Sequence, residues 1–316
     1  MDYITESLIE QNSPSWPEVL NALEGSIQAI QSSSYAQPLK PYLRFGDPKN
    51  RIIAMPAFVG GHTNACGIKW ISSFPDNYLS GLPRAHALII LNETSTGVPI
   101  ATMESNLLSA MRTAGVSGLI LKHFFKTREN VTLGFSGFGF IAKTHLEMIQ
   151  SLFLNKISKI NIFDQRKIDP TQVNSPNIQI DFSKTWEEAY EACDVFLTCT
   201  TTSAPYICLP PKENSLHIDV SLRDYQPEIV KSFDRIVVDD WDEVCRENTD
   251  IERAHLSWGL EKSSTIDLPS FLLSPPSFSK GTTFFAPMGM AIFDIALAST
   301  VYQYLKQGKL RSEGHG

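Results

Sequence analysis

The sequence lacks any apolar run approaching the roughly 18 residues that a membrane-spanning helix needs, so no transmembrane segment is expected. It also lacks Lys/Arg-rich runs, and its formal net charge is −7; both argue against a nucleic-acid partner. Cysteine is sparse and odd in number, at positions 66, 193, 199, 208 and 245 with no CxxC pair. A disulfide framework is therefore excluded, and reduced thiols in a cytoplasmic protein are expected. The seven histidines show no metal-ligand spacing, so no metal is expected. No secretory leader, internal repeat or low-complexity segment stands out. What is present is 316 residues of ordinary globular composition, long enough for a large core and two domains.

The most informative stretch runs from Val131 to Asp164. The apolar run Val131 to Phe135 reads as a buried strand, and Ile141 to Phe153 carries apolar residues at helical spacing. Between them stand Gly137, Phe138, Gly139 and Phe140, and a second apolar strand, Ile160 to Phe163, ends on Asp164. Strand, glycine turn, helix, strand and acid, at this spacing, form a βαβ dinucleotide-binding unit. Gly137 permits the tight turn, Gly139 lets the backbone approach a pyrophosphate, and the helix N-terminus favours the anion. Ala142 occupies the third glycine position. Asp164 suits the adenosine ribose hydroxyls and repels a 2′-phosphate, so NAD is expected over NADP. Arg166, just past the acid, is the residue that could accommodate such a phosphate. A turn whose glycines only reverse the chain is the plainer alternative.

Around this unit, Ser15 and Glu18 predict a capping box before an amphipathic helix bearing Val19, Leu20, Leu23, Ile27 and Ile30. Strands are expected at Arg51 to Ala57, Cys66 to Ile71 and Ala87 to Asn92, with a Thr96-Gly97 turn into Pro99 to Met103. The first hundred residues thus read as antiparallel α+β. A small-residue helix, Ser105 to Phe125, leads into the α/β part. There a helix is expected at 185–192, with strands at 194–199, 216–220 and 235–238. Residues 263–279 read as a Ser/Pro-rich loop, Ile292 to Tyr304 as the last helix, and 307–316 as a frayed polar tail.

Three cations have unusual surroundings. Arg112 lies in a helix too small and apolar to be solvated all round, so it needs a partner. A bound carboxylate is one candidate; a structural acid such as Glu104 is the other. Lys69 sits mid-strand in CGIKWIS, and Arg44 follows a proline-broken loop. Solvent-facing charges are the plain reading of both; near a nicotinamide they suit a substrate bearing carboxylates. Asp224 follows the Leu216 to Val220 strand, where it could act as general base or orient a water; a turn or helix-capping aspartate is the commoner use of such a residue. Thr200, Thr201 and Thr202 end the preceding strand and could line a cofactor cleft. Asp294, in PMGMAIFDIA, suits a structural pair or the cofactor.

Taken together, GIKW, AMRTA, GFGFIA, TCTTTSAP, SLRDYQPE and MGMAIFD resemble the ornithine cyclodeaminase/mu-crystallin family over nearly the whole chain. The resemblance implies an α/β fold: a Rossmann-type NAD-binding domain at 113–294 plus a discontinuous α+β substrate-binding and dimerisation domain at 1–112, completed by 295–316. It implies NAD as cofactor, a multi-carboxylate amino-acid substrate and a homodimer. Asp224 and Lys69 are implied to be catalytic, and Lys40, Arg44, Met55, Lys69 and Arg112 to bind substrate. Arg112, Thr113, Gly137, Phe138, Gly139, Phe140, Ile141, Asp164, Thr200, Thr201, Thr202, Val220, Ser221, Met288 and Gly289 are implied to contact the cofactor. Within the family, QPLKPYLR, RIIAMP, GIKWI, VVDDW and PMGMAI resemble members that release L-2,3-diaminopropionate and 2-oxoglutarate from N-(2-amino-2-carboxyethyl)-L-glutamate. Such a reaction serves siderophore or peptide natural-product biosynthesis. Leu222 and Arg223 replace the glycines of the cyclodeaminase pattern, and Pro287 replaces its serine. Beside Asp294, Phe293 replaces an acid. Ornithine cyclisation, imine reduction or alanine oxidation, and non-catalytic binding are the alternatives.

Overall fold

The computed structural model describes residues 1–173 and 178–313. Residues 174–177 and 314–316, the latter the end of the expected tail, lie outside the described residues. The chain divides into two compact units, 1–115 with 289–316, and 116–288. Asp294 therefore belongs with the first unit, not with the nucleotide-binding stretch where the sequence reading put it.

The first unit opens with β1 (Asp2–Ile4), α1 (Glu6–Gln11) and α2 (Trp16–Gln31). Glu18 accepts the Ser15 backbone N–H at 2.7 Å, so the helix start predicted from Ser15 and Glu18 is present. Short strands β2 (Tyr35–Ala36) and β3 (Tyr42–Leu43) follow. The long strands are β4 (Arg51–Val59), β5 (Ala65–Ser73), β6 (Ala85–Asn92) and β7 (Pro99–Glu104). These four make an antiparallel meander, with β1 added in parallel against β7. The parallel β1 was not foreseen; three residues are too few to show a period. One sheet face is covered by the C-terminal helix Ala291–Glu313, which starts on schedule but runs through most of the stretch expected to fray. Its first turns are apolar and fully buried, and that packing carries the helix on.

Helix α3 (Asn106–Phe124) leads from the first unit into the second. There β8 (Val131–Ser136), α4 (Phe140–Phe153), β9 (Ile157–Phe163), β10 (Gln179–Phe182), α5 (Trp186–Tyr190), β11 (Val195–Thr198) and β12 (Leu216–Asp219) follow in order. The remainder is α6 (Pro227–Val230), β13 (Arg235–Val238), α7 (Trp241–Val244), α8 (Asp250–Trp258), β14 (Ile266–Asp267), α9 (Leu268–Leu273) and β15 (Thr283–Ala286). The eight strands form one parallel sheet in the order β10-β9-β8-β11-β12-β15-β13-β14. Strands β11, β12 and β15 are buried at every residue, as a sheet covered on both faces requires. The order reverses between β8 and β11, so the connections leaving their C-terminal ends run to opposite sides, the usual ligand position of such sheets. The expected loop at 263–279 is a correction: β14 and α9 lie within it, α9 starting where Asp267 accepts the Ser270 N–H.

Candidate active site

In the second unit the site is built on the strand ends at the reversal. Gly137 has φ +81°, and a Cβ there would meet the Cys199 carbonyl oxygen at 2.6 Å and the Thr200 nitrogen at 2.9 Å. Glycine is thus required both by the left-handed turn and by the closeness of the β11 end. Gly139 caps α4 without a side chain, leaving the first N–H groups of that helix uncapped by any side chain. A Cβ at 139 would touch only Arg166 Nη2, at 3.9 Å. Space above an uncapped helix start is the cradle a pyrophosphate takes. Ala142 is fully buried, which keeps α4 close to the sheet. Phe138 packs inward edge-on to Phe135, whereas Phe140 is largely exposed and Ile141 half-buried.

Asp164 ends β9 as expected. Its Oδ2 accepts the Phe138 N–H at 2.7 Å, so the acid ties down the glycine turn itself. Its Oδ1 accepts from Arg166 N at 2.8 Å and Nε at 3.2 Å. Burial alone would raise the Asp164 carboxyl; the Arg166 and Phe138 hydrogen bonds outweigh it and hold it below its ordinary value. Arg166 thus neutralises the very acid that is to discriminate against a 2′-phosphate.

Asp224 follows β12 and is fully buried. Its Oδ1 accepts the Thr200 hydroxyl at 2.6 Å and its Oδ2 the Ser221 hydroxyl at 2.5 Å. Thr200 N donates to Ser221 Oγ at 3.1 Å, which closes a small ring of polar groups. Burial raises Asp224 above the usual carboxyl range, against the two hydroxyls that favour its anion. Thr201 is exposed; Thr202 holds the turn through Ala204 O, at 2.8 Å, and does not touch the acid. Val220 and Met288 are half-buried, the latter donating its N–H to Asp239 at 2.9 Å. Leu222 adopts φ +65°, the left-handed region that a glycine enters freely and a leucine enters at about 1–2 kcal/mol.

The first unit holds a second polar cluster. Lys69 on β5 is 1% exposed and Arg112 on α3 is 8% exposed, so the solvent-facing reading of Lys69 is overturned. Both reach the same oxygen of Asp294: Lys69 Nζ lies 2.8 Å and Arg112 Nε 3.1 Å from Oδ1. Lys69 also reaches Ser109 Oγ at 3.3 Å. The Asp294 Oδ2 is buried without a hydrogen-bond partner among the described residues. Glu104, the structural acid weighed for Arg112, instead accepts from Tyr3 and from the Glu6 N–H. Burial pulls the Lys69 ammonium down to about 7; Asp294 opposes the fall, and Arg112 and Lys40 add to it. Burial would raise Asp294, but Arg112 and Lys69 together hold it low.

Lys40 is buried, and Met55 is buried opposite Lys69 in the β4–β5 register. Arg44 is exposed, its guanidinium 5.1 Å from the Tyr42 ring, so burial does not join it to the others. Thr113 turns its hydroxyl back to Ser109 O at 2.7 Å. Gly289 has φ +87°, and a Cβ there would lie 2.4 Å from Arg112 Nη1; the glycine exists to seat that guanidinium. Two buried residues escaped sequence reading, Asp219 and Asp250, whose oxygens lie within 4.8 Å of Asp224 and of each other. The one available signal was an acid inside the apolar strand LHIDV.

The sequence profile of the ornithine cyclodeaminase/mu-crystallin family matches residues 4–214. This chain belongs to that family. It is 34% identical to the N-((2S)-2-amino-2-carboxyethyl)-L-glutamate dehydrogenase of Staphylococcus aureus, over 97% of this chain and 96% of that enzyme. It is 29% identical to the alanine dehydrogenase of Archaeoglobus fulgidus over 94% of this chain and 92% of that one. Among solved structures, an archaeal alanine dehydrogenase dimer with bound NAD matches at TM-score 0.84 and 26% identity, covering 98% of this chain and 97% of that one. The Δ1-pyrroline-2-carboxylate reductase of Thermococcus litoralis matches at TM-score 0.86 and 24% identity, over 98% of both chains, and likewise shows the family fold.

Proposed function

We propose that this protein is an NAD-dependent oxidoreductase acting on N-(2-amino-2-carboxyethyl)-L-glutamate, which it converts with water to L-2,3-diaminopropionate and 2-oxoglutarate. The observation that carries the reading is the buried pair Lys69 and Arg112 sharing one oxygen of Asp294. Two cations on one carboxylate leave positive charge in a nearly dry place, which an anionic substrate group offsets. With buried Lys40, that balance suits a substrate of three carboxylates better than ornithine, with one carboxylate and two ammonium groups. The 34% identity to the Staphylococcus aureus dehydrogenase supports the same substrate.

The glycine turn fits NAD. Gly137 to Ile141 would hold the pyrophosphate, Asp164 the ribose hydroxyls, and Thr200, Val220, Ser221 and Met288 the remainder. Bound NAD supplies the two-electron acceptor for the glutamyl Cα–H. Lys69 and Arg112 orient the substrate through its carboxylates, a near-attack role. Asp224 takes a proton from water as the water adds to the oxidised C=N carbon. The same proton then goes to the departing amine, and as the C–N bond breaks Asp224 takes the hydroxyl proton, so that carbon leaves as the ketone of 2-oxoglutarate. Its raised pKa suits a group that must both take and return a proton. The product is a building block for siderophores or peptide natural products, and a homodimer is the expected assembly.

The test incubates the protein with NAD and N-(2-amino-2-carboxyethyl)-L-glutamate, ornithine or L-alanine in turn. NADH and 2-oxoglutarate should accumulate one for one with the first only. Ammonia release from ornithine without net NADH would overturn the assignment, as would preference for alanine.

A further inference from the structure

Behind Asp224 lies a pair of acids that the proposed chemistry does not use. Asp219 ends β12 and Asp250 opens α8; both are fully buried, and a carboxylate oxygen of each lies within 4.8 Å of the other. The donors around them are unequally shared. Asp250 Oδ2 accepts the N–H groups of Asp224 and Tyr225, at 2.7 and 2.8 Å, and its Oδ1 faces Arg253 Nη1 at 3.4 Å. Asp219 Oδ1 accepts the Thr198 hydroxyl at 2.7 Å and the Leu222 N–H at 3.0 Å. Asp219 Oδ2 is buried and meets no donor among the described residues.

Beside them the Tyr206 and Tyr225 phenols and the Cys199 thiol are pushed up by burial. His217, bonded to the Tyr225 hydroxyl at 2.9 Å, is pushed down to about 3, so all four are neutral. The Arg223 guanidinium donates to the Ser221 and Glu247 carbonyls. Three carboxylates within 4.8 Å of one another in a dry interior, with Arg253 paired to Asp250, cannot all stay ionised; one carboxyl holds a proton. The donor count selects the carrier. Asp250 is served as an anion on both oxygens, and Asp224 has a hydroxyl on each. Only Asp219 has an oxygen that becomes satisfied by being protonated.

We propose that Asp219 is a neutral carboxylic acid at neutral pH, donating Oδ2–H to Asp250, and that it is a positioning residue for Asp224. Its Oδ1 holds Leu222 in the left-handed turn, while the Asp250 anion grips the N–H groups of Asp224 and Tyr225. The Asp224 carboxyl is thereby fixed against Thr200 and Ser221. The proposal rests on the reading of Asp224 as the acid/base.

Infrared difference spectroscopy on the full-length protein should show a protonated-carboxyl stretch at neutral pH that Asp219→Asn removes and Asp224→Asn retains. In turnover, Asp219→Leu, which cannot donate, should lower kcat about tenfold or more. Its Kd for NAD should stay within about twofold of the parent, and Asp219→Asn, whose amide can donate, should recover most of the loss. No protonated-carboxyl band at neutral pH, or a band that survives Asp219→Asn, would overturn the neutral acid. Loss of the band on adding Mn²⁺ would do the same, by making the cluster a cation site. Equal kcat in Asp219→Leu and the parent would overturn the positioning role. If neither Asp219 variant folds, the parent spectrum decides: the band must be present at neutral pH and diminish in alkali. A normal turnover by Asp224→Asn with the infrared pattern intact would instead refute the acid/base reading and leave the neutral Asp219 standing.

Discussion

At the scale of single residues, Lys69 and Asp294 show how burial turns ordinary side chains into chemical ones. Lys69 titrates near 7 in the folded protein, against about 10.4 in an unfolded chain. The ammonium that binds a carboxylate is thus lost as pH rises through about 7, and kcat/KM should fall on that limb. Lys69→Met should give a low kcat/KM without this limb, as read from initial rates across pH. Stability moves the other way. Between the two pKa values the unfolded chain binds more protons, so stability rises with pH across that window, and Lys69→Met should remove the rise in urea titrations. Asp294→Ala leaves two buried cations without their carboxylate and should cost about 3–5 kcal/mol in the same assay. Arg112 could be read from the sequence as a buried charge, because small apolar neighbours leave a guanidinium no water. Its partner, 182 residues onward, could not; Glu104 was nearer in sequence but is occupied by Tyr3 and Glu6.

At the scale of elements, the β8-turn-α4 unit separates two glycines that look alike in sequence. Gly137→Ala meets backbone atoms and a forbidden φ; it should lower thermal stability, by about 1–3 kcal/mol, as well as NAD affinity. Gly139 has an ordinary φ of −84° and room around it. Gly139→Ala should therefore melt with the parent yet bind NAD at least tenfold more weakly in calorimetry, since its methyl occupies the phosphate cradle. This unit was legible because period, turn and acid are all local features. Helix α9 was not. Six residues with a proline cannot display a helical period, and its buried Leu268 and Phe271 hold it by packing, not by propensity.

For the whole molecule, the proposed reading gives the two compact units different ligands, and that makes a separable expectation. NAD at a hundred times its Kd should stabilise the protein by about 2.7 kcal/mol. Hydrogen exchange should report the protection at Gly137 to Ala142 and Thr200 to Thr202, whereas a tricarboxylate substrate protects the β5 and α3 segments around Lys69 and Arg112. Protection by NAD confined to other segments would contradict the cradle assigned to the glycine turn.

The sequence by itself determined the elements that carry a periodic or local signature: the α2 cap, the antiparallel strands, the βαβ unit with its acid, and the family. It also singled out Arg112 as needing a partner and Asp224 as a carboxylate at a strand end. Only the tertiary structure decided which charges lose their water. It sank Lys69, left Arg44 at the surface, gave Asp294 two cations, and gathered Asp219, Asp224 and Asp250 from three segments. Periodicity is written along the chain, but desolvation depends on what packs against a group from far away, and that is a property of the fold.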